Sequence, residues 1–153
     1  MKKRNFRLED FASLHPGGTL GRKLLLTVED LMHTGEAIPK VNEDALMKDV
    51  ILEITSKRLG VTGVINEKGE LVGAITDGDL RRAIEKYDNL LIKRAHEIMT
   101  ANPKDIEKDA LAAYALRKME DFSITSLFAV ERDGEKRPVG IIHIHDLLRA
   151  KIV

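Results

Sequence analysis

Cysteine and tryptophan are absent from this 153-residue chain, and aromatic residues of any kind are few. Without cysteine, the chain has no disulfides, no thiol nucleophile and no thiolate metal ligands. Because it holds only four phenylalanines and two tyrosines, its core must be built from Ile, Leu, Val, Ala and Met. A chain of this length forms one ordinary domain, or two small ones that share a core.

Net charge and long apolar runs are also missing. The 25 basic residues are balanced by 25 acidic ones, so no overall charge draws the chain to nucleic acid or to an anionic membrane. No apolar run approaches the roughly 20 residues that a membrane span needs. The charged first residues lack the apolar core of a signal peptide. We therefore expect a cytoplasmic protein with neither nucleic acid nor membrane among its partners.

What the sequence does contain is an internal repeat. The stretch GAITDGDLRRAI, residues 73–84, returns as GIIHIHDLLRAK, residues 140–151, with six of the twelve positions identical. Shorter matches follow the same order, with DLM at 30–32 against EIM at 97–99, and DAL at 44–46 against DAL at 109–111. The chain thus divides into a leader at residues 1–24, a first unit at 25–88 and a second unit at 89–153.

Each unit has the same predicted secondary structure. In the first unit, Asp44 is the predicted N-cap of a helix with one apolar face, and Gly60 is its C′ residue. The runs VTGVIN and LVGAIT predict a hairpin, and a second helix at 78–87 follows. A unit of about 60 residues rarely buries enough surface alone. We expect an α/β (α+β) fold in which two β-α-β-β-α units pack sheet to sheet or helix to helix about a pseudo-two-fold axis.

The segment TDGD, residues 76–79, has a structural and a functional interpretation. As a capping box, the Thr76 hydroxyl accepts from the Asp79 N–H, and the Asp79 carboxylate favours the positive end of the helix. As a site, the same helix start offers N–H groups to a phosphate, and an aspartate there can accept both hydroxyls of a ribose. The two interpretations are compatible. Thr76, Asp77 and Asp79 are therefore candidate ligand-binding residues.

The tandem units resemble a pair of CBS domains (cystathionine-β-synthase-type modules). The ribose and phosphate motif of that family, Gly-apolar-x-Thr/Ser-x-x-Asp, is matched in full by Gly73, Thr76 and Asp79. The resemblance covers residues 25–153. It implies two tandem CBS domains with a cleft between them, and two related sites of a kind that typically takes adenosyl nucleotides.

The second unit departs from that motif at one position. Gly140 and Asp146 match it, but His143 stands where the family has a hydroxyl residue. The resemblance implies that Asp79 holds one ribose and Asp146 another, with Thr62 and Thr125 lining the clefts. We expect the first site to be the conventional nucleotide site and the second to be altered.

The leader carries HPGGTLGRKLL at residues 15–25. It is no P-loop, because Gly21 is followed by Arg22 instead of Lys and Ser or Thr; its local interpretation is a turn that leads into a short helix. Together with the ending GIIHIHDLLRA, it is similar to the junction in arabinose-5-phosphate isomerases, where a sugar-isomerase (SIS) domain precedes a CBS pair. These enzymes interconvert ribulose 5-phosphate and arabinose 5-phosphate through an enediol, on the pathway to 3-deoxy-D-manno-octulosonate (Kdo) and lipopolysaccharide.

The resemblance implies that His15 is a catalytic residue that acts in proton transfer, for which an imidazole is suited. The SIS domain is not in this chain, so His15 is expected to be an orphan and the chain alone is not expected to catalyse the isomerisation. Met1 is expected to start either a truncated chain or a naturally short gene.

His143 and His145 lie two apart at a strand end, on one face if the strand persists. With Asp146 they could form part of a metal site; the alternatives are a polar cleft lining or a hydrogen-bonding substitute for threonine. We predict no metal and no required cofactor. Imidazoles could instead donate to a carboxylate or a sugar phosphate. The resemblance to an enzyme of the Kdo pathway implies a regulatory ligand that is either an end product such as CMP-Kdo or another nucleotide, such as an adenosyl nucleotide.

Three functions remain open at this stage. The first is a regulatory ligand-binding CBS module of an arabinose-5-phosphate isomerase, with the SIS domain of the parent protein as a partner. The second is a structural module that only dimerises. The third, a self-sufficient isomerase, is the least favoured. A homodimer is expected, with contacts from the apolar residues Leu90, Leu91 and Ile92 or Leu147 and Leu148.

Overall fold

The computed structural model describes residues 24–131 and 134–152. The first unit contributes helix α1 (Val28–Leu31), strand β1 (Lys40–Asn42), helix α2 (Met47–Lys57), strands β2 (Val61–Ile65) and β3 (Leu71–Thr76), and helix α3 (Asp77–Lys86). The second unit contributes α4 (Ala95–Ile98), β4 (Thr100–Ala101), β5 (Asp105–Glu107), α5 (Ala112–Phe122), β6 (Ser126–Val130), β7 (Gly140–His143) and α6 (Ile144–Arg149). Short 3-10 turns lie at Gly35–Ala37 and Leu90–Ile92.

Both units follow the predicted order β-α-β-β-α, which confirms the fold class. The first sheet has the strand order β1-β2-β3-β4, with β1 parallel to β2 and the other pairs antiparallel. The second has the order β5-β6-β7, with β5 parallel to β6 and β6 antiparallel to β7. The predicted hairpins are therefore β2–β3 and β6–β7.

The core formed by the described residues is divided into three clusters. One lies under the helices of the first sheet and includes Met47, Val50, Ile54, Val64 and Ile75. A second lies under the helices of the other sheet and includes Ala115, Met119, Leu127, Ile142 and Leu147. The third combines residues of both units, namely Ile38, Val61, Leu71, Ala74, Phe128 and Ile141. Because this last cluster joins β2 and β3 to β6 and β7, the units pack sheet to sheet.

The opening segments of the two units are exchanged. Val28 of α1 belongs to the core of the second unit, whereas Ala95 of α4 belongs to the core of the first. The backbone shows the same crossing. Just after α1, His33 pairs with Ile141 of β7, and just after α4, Thr100 pairs with Ala74 of β3. Each unit is thus completed by a piece of chain from the other, and the exchange is reciprocal.

This exchange explains the glycine that begins each copy of the repeated motif. A Cβ added at Gly73 would overlap Sδ of Met99 and lie 2.8 Å from its Cγ. A Cβ at Gly140 would overlap Met32 in the same way, at 2.8 Å from its Cγ. Both methionines come from the exchanged segments. The motif glycine therefore makes room for the side chain that the other unit supplies.

The long helix of the first unit begins later than predicted. Asp44 is not its N-cap; α2 begins at Met47, after the N-cap residue Leu46, which makes no side-chain cap. The reason lies in the exchange, because Leu46 bridges Arg94 and the Met47 N–H donates to the Lys93 carbonyl at 2.8 Å. The backbone of the other unit thus satisfies a donor that a side-chain cap would otherwise serve.

The C-terminal end of this helix also differs from its prediction. Arg58 adopts the left-handed conformation (φ 64°) as C-cap, so Gly60 is not the C′ residue. Gly60 has a positive φ of 73° of its own, in the turn that leads to β2. Its carbonyl accepts from the Asp77 N–H at 3.0 Å, which ties this turn to the start of α3.

Candidate functional site

An open cavity of about 630 Å³ lies where the two units meet. The first unit lines it with residues 59–61 and 76–79 and with Ala74. The second unit lines it with Thr100, residues 102–104 and residues 123–126, and with Phe128 and His143. Its wall combines apolar side chains with hydroxyls, carboxylates and one ammonium group. A pocket of this size and mixture can hold a small polar molecule.

The TDGD segment forms the start of α3 and one end of the cavity. The Asp79 N–H donates to the Thr76 hydroxyl at 3.1 Å, and the Thr76 N–H donates to the Asp79 carboxylate at 2.9 Å. The predicted capping box is therefore present. Arg82 donates to the other Asp79 oxygen at 2.6 Å. Each carboxylate oxygen has a second lone pair, and the Arg82 side chain is 72% exposed, so Asp79 can accept further hydrogen bonds.

The groups around this helix start suit an anion. Gly78 has no side chain to cover its amide, which lies in the first turn of a ten-residue helix, where backbone N–H groups and the helix dipole favour negative charge. Lys104 also lines the cavity and supplies an ammonium group, which lies 4.4 Å from the Phe122 ring centroid. Ser123 and Ser126 add hydroxyls. The cavity thus combines several donors with the Asp79 acceptor.

His143 belongs to the cavity wall although it ends a strand of the second unit. Its Nδ1 accepts from the His145 N–H at 3.0 Å, so the ring proton is on Nε2. Within the described ranges no group accepts from Nε2, and this nitrogen is not sealed from solvent. Burial, and next the neighbouring His145, hold the pKa of His143 below its ordinary value of 6.5. His143 therefore lines the cavity as a neutral imidazole that carries one N–H.

The lowered pKa of His143 predicts a pH dependence of stability. The unfolded chain takes up this proton below about pH 6.5, whereas the folded chain takes it up only at lower pH. Burial of the neutral ring therefore stabilises the fold above pH 6.5, and this contribution is lost as the pH falls through the folded-state pKa. The charged or titratable neighbours that act on this ring are His33, His145, Asp146 and Arg149.

Urea titrations of the wild type and of His143→Thr, at about pH 7 and about pH 5, measure this dependence. Threonine keeps a capping oxygen, as Thr76 does in the other unit, but it does not titrate. We expect the wild type to lose more free energy of unfolding between the two pH values than the variant loses. Equal losses would show that His143 does not contribute to the dependence.

Asp146 has a different environment from Asp79, its equivalent in the repeat. Its side chain is 5% exposed, and it is absent from the cavity wall. Both oxygens lie close to His33 Nε2, at 2.9 and 3.0 Å. The His143 N–H and Arg149 also donate to this carboxylate, at 2.8 and 2.6 Å. The structure thus surrounds Asp146 with groups of the protein itself.

The remaining predicted site residues are placed as follows. Thr125 lines the cavity. Thr62 does not, because it is fully buried in β2, where its hydroxyl donates to the Gly63 carbonyl at 3.1 Å. His145 is exposed outside the cavity, with its ring 4.4 Å from that of His143. His15 lies outside the described residues.

Sequence reasoning missed the contribution of the second opening segment. Thr100 and Lys104 line the cavity because β4 pairs with β3, next to the TDGD helix. The signal that could have found them was the alignment of DLM with EIM, which marks corresponding segments without showing that they are exchanged. In the part of the chain that the structure describes, no group of three or more His, Asp or Glu side chains is arranged to hold a metal.

A second, more open concavity lies beside α2, between Ile38 and Val139. Within it, the Glu53 carboxylate accepts from the Lys57 ammonium at 2.6 Å and from the Lys40 backbone N–H at 3.1 Å. It contains none of the predicted site residues. Among the described helices, none has the length and apolar character needed to cross a bilayer.

The repeat and the fold define a tandem pair of small modules with a cavity between them. The family model of the CBS domain matches this chain twice, over residues 28–86 and 95–152. The chain belongs to the CBS domain family.

Curated relatives extend the match to the full chain. It is 45% identical over 153 residues to the arabinose 5-phosphate isomerase KdsD of Pseudomonas aeruginosa, covering 100% of this chain and 46% of that protein. The Salmonella typhimurium KdsD is 44% identical with the same coverage. The chain therefore spans about half the length of the curated relatives it matches.

Solved structures show the same fold. A putative acetoin utilization protein (AcuB) from Vibrio cholerae has a TM-score of 0.73 at 19% identity, over 84% of this chain and 92% of that one. The CBS domain pair of protein MJ0100, in complex with 5-methylthioadenosine and S-adenosyl-L-methionine, has a TM-score of 0.71 at 24% identity, over 82% and 94%. CBSX2 in complex with AMP has a TM-score of 0.68 at 23% identity, over 83% and 96%.

Proposed function

We propose that this chain is the ligand-sensing module of an arabinose 5-phosphate isomerase, and that it binds an adenosine nucleotide in the cavity between its two units. The observation that carries this proposal is the combination of an open cavity with the start of α3. Thr76, Gly78 and Asp79 bring an acceptor and several donors together at one end of a pocket that both units line. No cofactor is required for this role.

The chemistry of a nucleotide fits the groups that the cavity presents. The Asp79 carboxylate can accept from both hydroxyls of a ribose, with Arg82 moving aside into solvent. The phosphate then lies at the start of α3, near the Gly78 amide and the Thr76 hydroxyl, with Lys104 as a counter-charge. The apolar wall at Val61 and Ile124 can cover a base.

Two observations bear on the identity of the ligand. Two proteins of the same fold were solved with AMP, or with 5-methylthioadenosine and S-adenosyl-L-methionine, which supports an adenosyl ligand. The imidazole N–H of His143 adds a further donor to the hydroxyls that line the same cavity, and this favours a ligand with an additional acceptor such as a carboxylate. CMP-Kdo carries one, so it belongs among the probes.

The parent activity rests on the full-length similarity to KdsD isomerases. We propose that the module is attached to an SIS domain, regulates the interconversion of ribulose 5-phosphate and arabinose 5-phosphate for Kdo synthesis, and works in the cytoplasm. In the full-length protein, His15 would be a catalytic residue that acts in proton transfer beside the SIS domain. Alone, the chain is proposed to bind and not to catalyse.

Calorimetric titration of the chain with AMP, ATP, CMP and CMP-Kdo tests the site. We expect an adenosine nucleotide to bind, and Asp79→Asn to weaken binding by at least about tenfold, since a hydrogen bond to a charged group contributes roughly 1.5–3 kcal/mol. Asp49→Asn is the matched control, because Asp49 also lies in the first turn of a helix but away from the cavity. Its affinity should equal that of the wild type.

The outcomes separate the two candidate functions. Unchanged affinity in Asp79→Asn would reject the site, and the absence of heat or of a melting shift with all four probes would reject sensing. The structural alternative is supported by exposed apolar side chains at Leu91, Ile92 and Leu148, whereas Leu90 and Leu147 are buried in the cores. A homodimer in sedimentation together with no binding would favour a module that only dimerises.

A further inference from the structure

The two motif aspartates are equivalent in sequence and differ in what surrounds them. Asp79 and Asp146 each accept from the backbone N–H three positions earlier, at 2.9 and 2.8 Å, and each holds an arginine at 2.6 Å. Among the residues that the structure describes, only Asp146 has a further side-chain partner, His33. The side chain of Asp79 is 13% exposed and lines the cavity, whereas that of Asp146 is 5% exposed and does not.

The additional partner, His33, comes from the exchanged opening segment. It pairs with Ile141 in β7, and in the other unit Thr100 pairs with Ala74 in β3. Ala74 and Ile141 each follow the motif glycine, so Thr100 and His33 occupy equivalent positions on their sheets. At this position the first site has a short hydroxyl side chain that leaves the cavity open. The second site has an imidazole.

The geometry of this imidazole is that of a bound group. His33 Nε2 lies 2.9 Å from one Asp146 oxygen and 3.0 Å from the other, so it takes the place in which a pair of ribose hydroxyls would meet the carboxylate. Two antiparallel backbone bonds with Ile141, of 2.8 and 3.0 Å, hold the residue in position. The His33 side chain is 33% exposed and the Asp146 side chain 5% exposed, so the imidazole is the more exposed partner of this contact.

We infer that His33 is an internal occupant of the second site and that the chain therefore binds one nucleotide per CBS pair, at Asp79. This inference rests on the proposed function. It assigns His33 as the residue that decides how many ligands bind, and Asp146 as a link between the two units instead of a ligand acceptor.

Calorimetry with AMP on the full chain, wild type and His33→Thr, tests the inference. Threonine installs at the second site the residue that Thr100 supplies at the first. We expect about one AMP per chain for the wild type and about two for His33→Thr. Adding Asp146→Asn to His33→Thr should remove the second binding event. The control is His96→Ala. His96 lies in the corresponding segment of the other unit, is exposed, and has its Nε2 3.9 Å from an Asp44 oxygen. The His96→Ala chain should bind one AMP.

The results distinguish this inference from the proposed function. Two AMP per wild-type chain, or one per His33→Thr chain, would overturn the closure of the second site. If the wild type binds no AMP, the proposed function is rejected. If AMP then binds to His33→Thr alone, the closure of the second site by His33 is still supported. If AMP binds to neither protein, both the proposed function and the closure are overturned. Circular dichroism confirms that each variant is folded, and His33→Ala repeats the test if the threonine variant is not.

Discussion

Replacing Gly73 or Gly140 by alanine is expected to lower the free energy of unfolding by about 1–3 kcal/mol at each site, as overpacking of a core does. An alanine Cβ would overlap the sulfur of Met99 or Met32, and the methionine Cγ lies only 2.8 Å from that Cβ. Because Cγ is near the backbone, the side chain cannot yield by moving its far end alone. Urea denaturation of the two variants measures the loss.

Gly78→Ala is the matched control for this prediction. A Cβ at Gly78 meets nothing closer than 3.5 Å, and it lies in the first turn of α3, so the expected change is neutral or a gain of up to about 1 kcal/mol. In the Met99→Ala background, the side chain that would overlap the new Cβ is short. Adding Gly73→Ala there should lower the free energy of unfolding less than it does in the wild type. Wild-type stability in Gly73→Ala would contradict the packing described between the exchanged segment and β3.

Asp146→Ala should destabilise the fold much more than Asp79→Ala, although the two residues are equivalent in the repeat. Asp79→Ala removes a cap and an exposed arginine contact, at a cost of about 1 kcal/mol. Asp146→Ala also leaves His33 and the buried His143 N–H without their acceptor. We expect the free energy of unfolding to fall by about 2–3 kcal/mol. Breaking a fully buried ion pair costs roughly 3–5 kcal/mol, and the expected loss is smaller because the His33 and Arg149 side chains are partly exposed.

Thermal and urea unfolding of the two variants and of His33→Ala check this difference. If the excess loss in Asp146→Ala comes from the contact with His33, the double variant Asp146→Ala/His33→Ala should lose less than the sum of the two single variants. Equal losses in Asp79→Ala and Asp146→Ala would show that the internal contact contributes nothing to stability.

The repeat made much of the fold predictable. Its alignment gave the β-α-β-β-α order and both hairpins, because local apolar patterns and turns determine these elements. It also predicted the capping box at Thr76 and Asp79, since a hydroxyl followed three residues later by an acid is a local signal. What it could not show was which unit each opening segment completes, because that pairing joins residues far apart in the chain.

Several differences between prediction and structure follow from this one cause. The backbone of Lys93 replaces the cap predicted at Asp44. Met99 accounts for the glycine at position 73. His33 lies on a single β-bridge without any periodic pattern, so no local signal relates it to Asp146, 113 positions away. Thr62 differs for another reason. The resemblance implied that it lines the cleft, but it is fully buried in β2, where its hydroxyl donates to the Gly63 carbonyl.

The exchange of opening segments also sets an order for synthesis and folding. All the buried residues of the first core lie within the continuous stretch 47–95, so that core can close as soon as α4 has left the ribosome. The second core needs both Val28 and Leu147, which lie far apart in the chain. During synthesis, the opening segment therefore stays unpaired until Leu147 has been made. A circular permutant that carried this segment after Ile152 would place Val28 close to Leu147 in the sequence and is expected to refold faster, because the contact then closes a shorter loop.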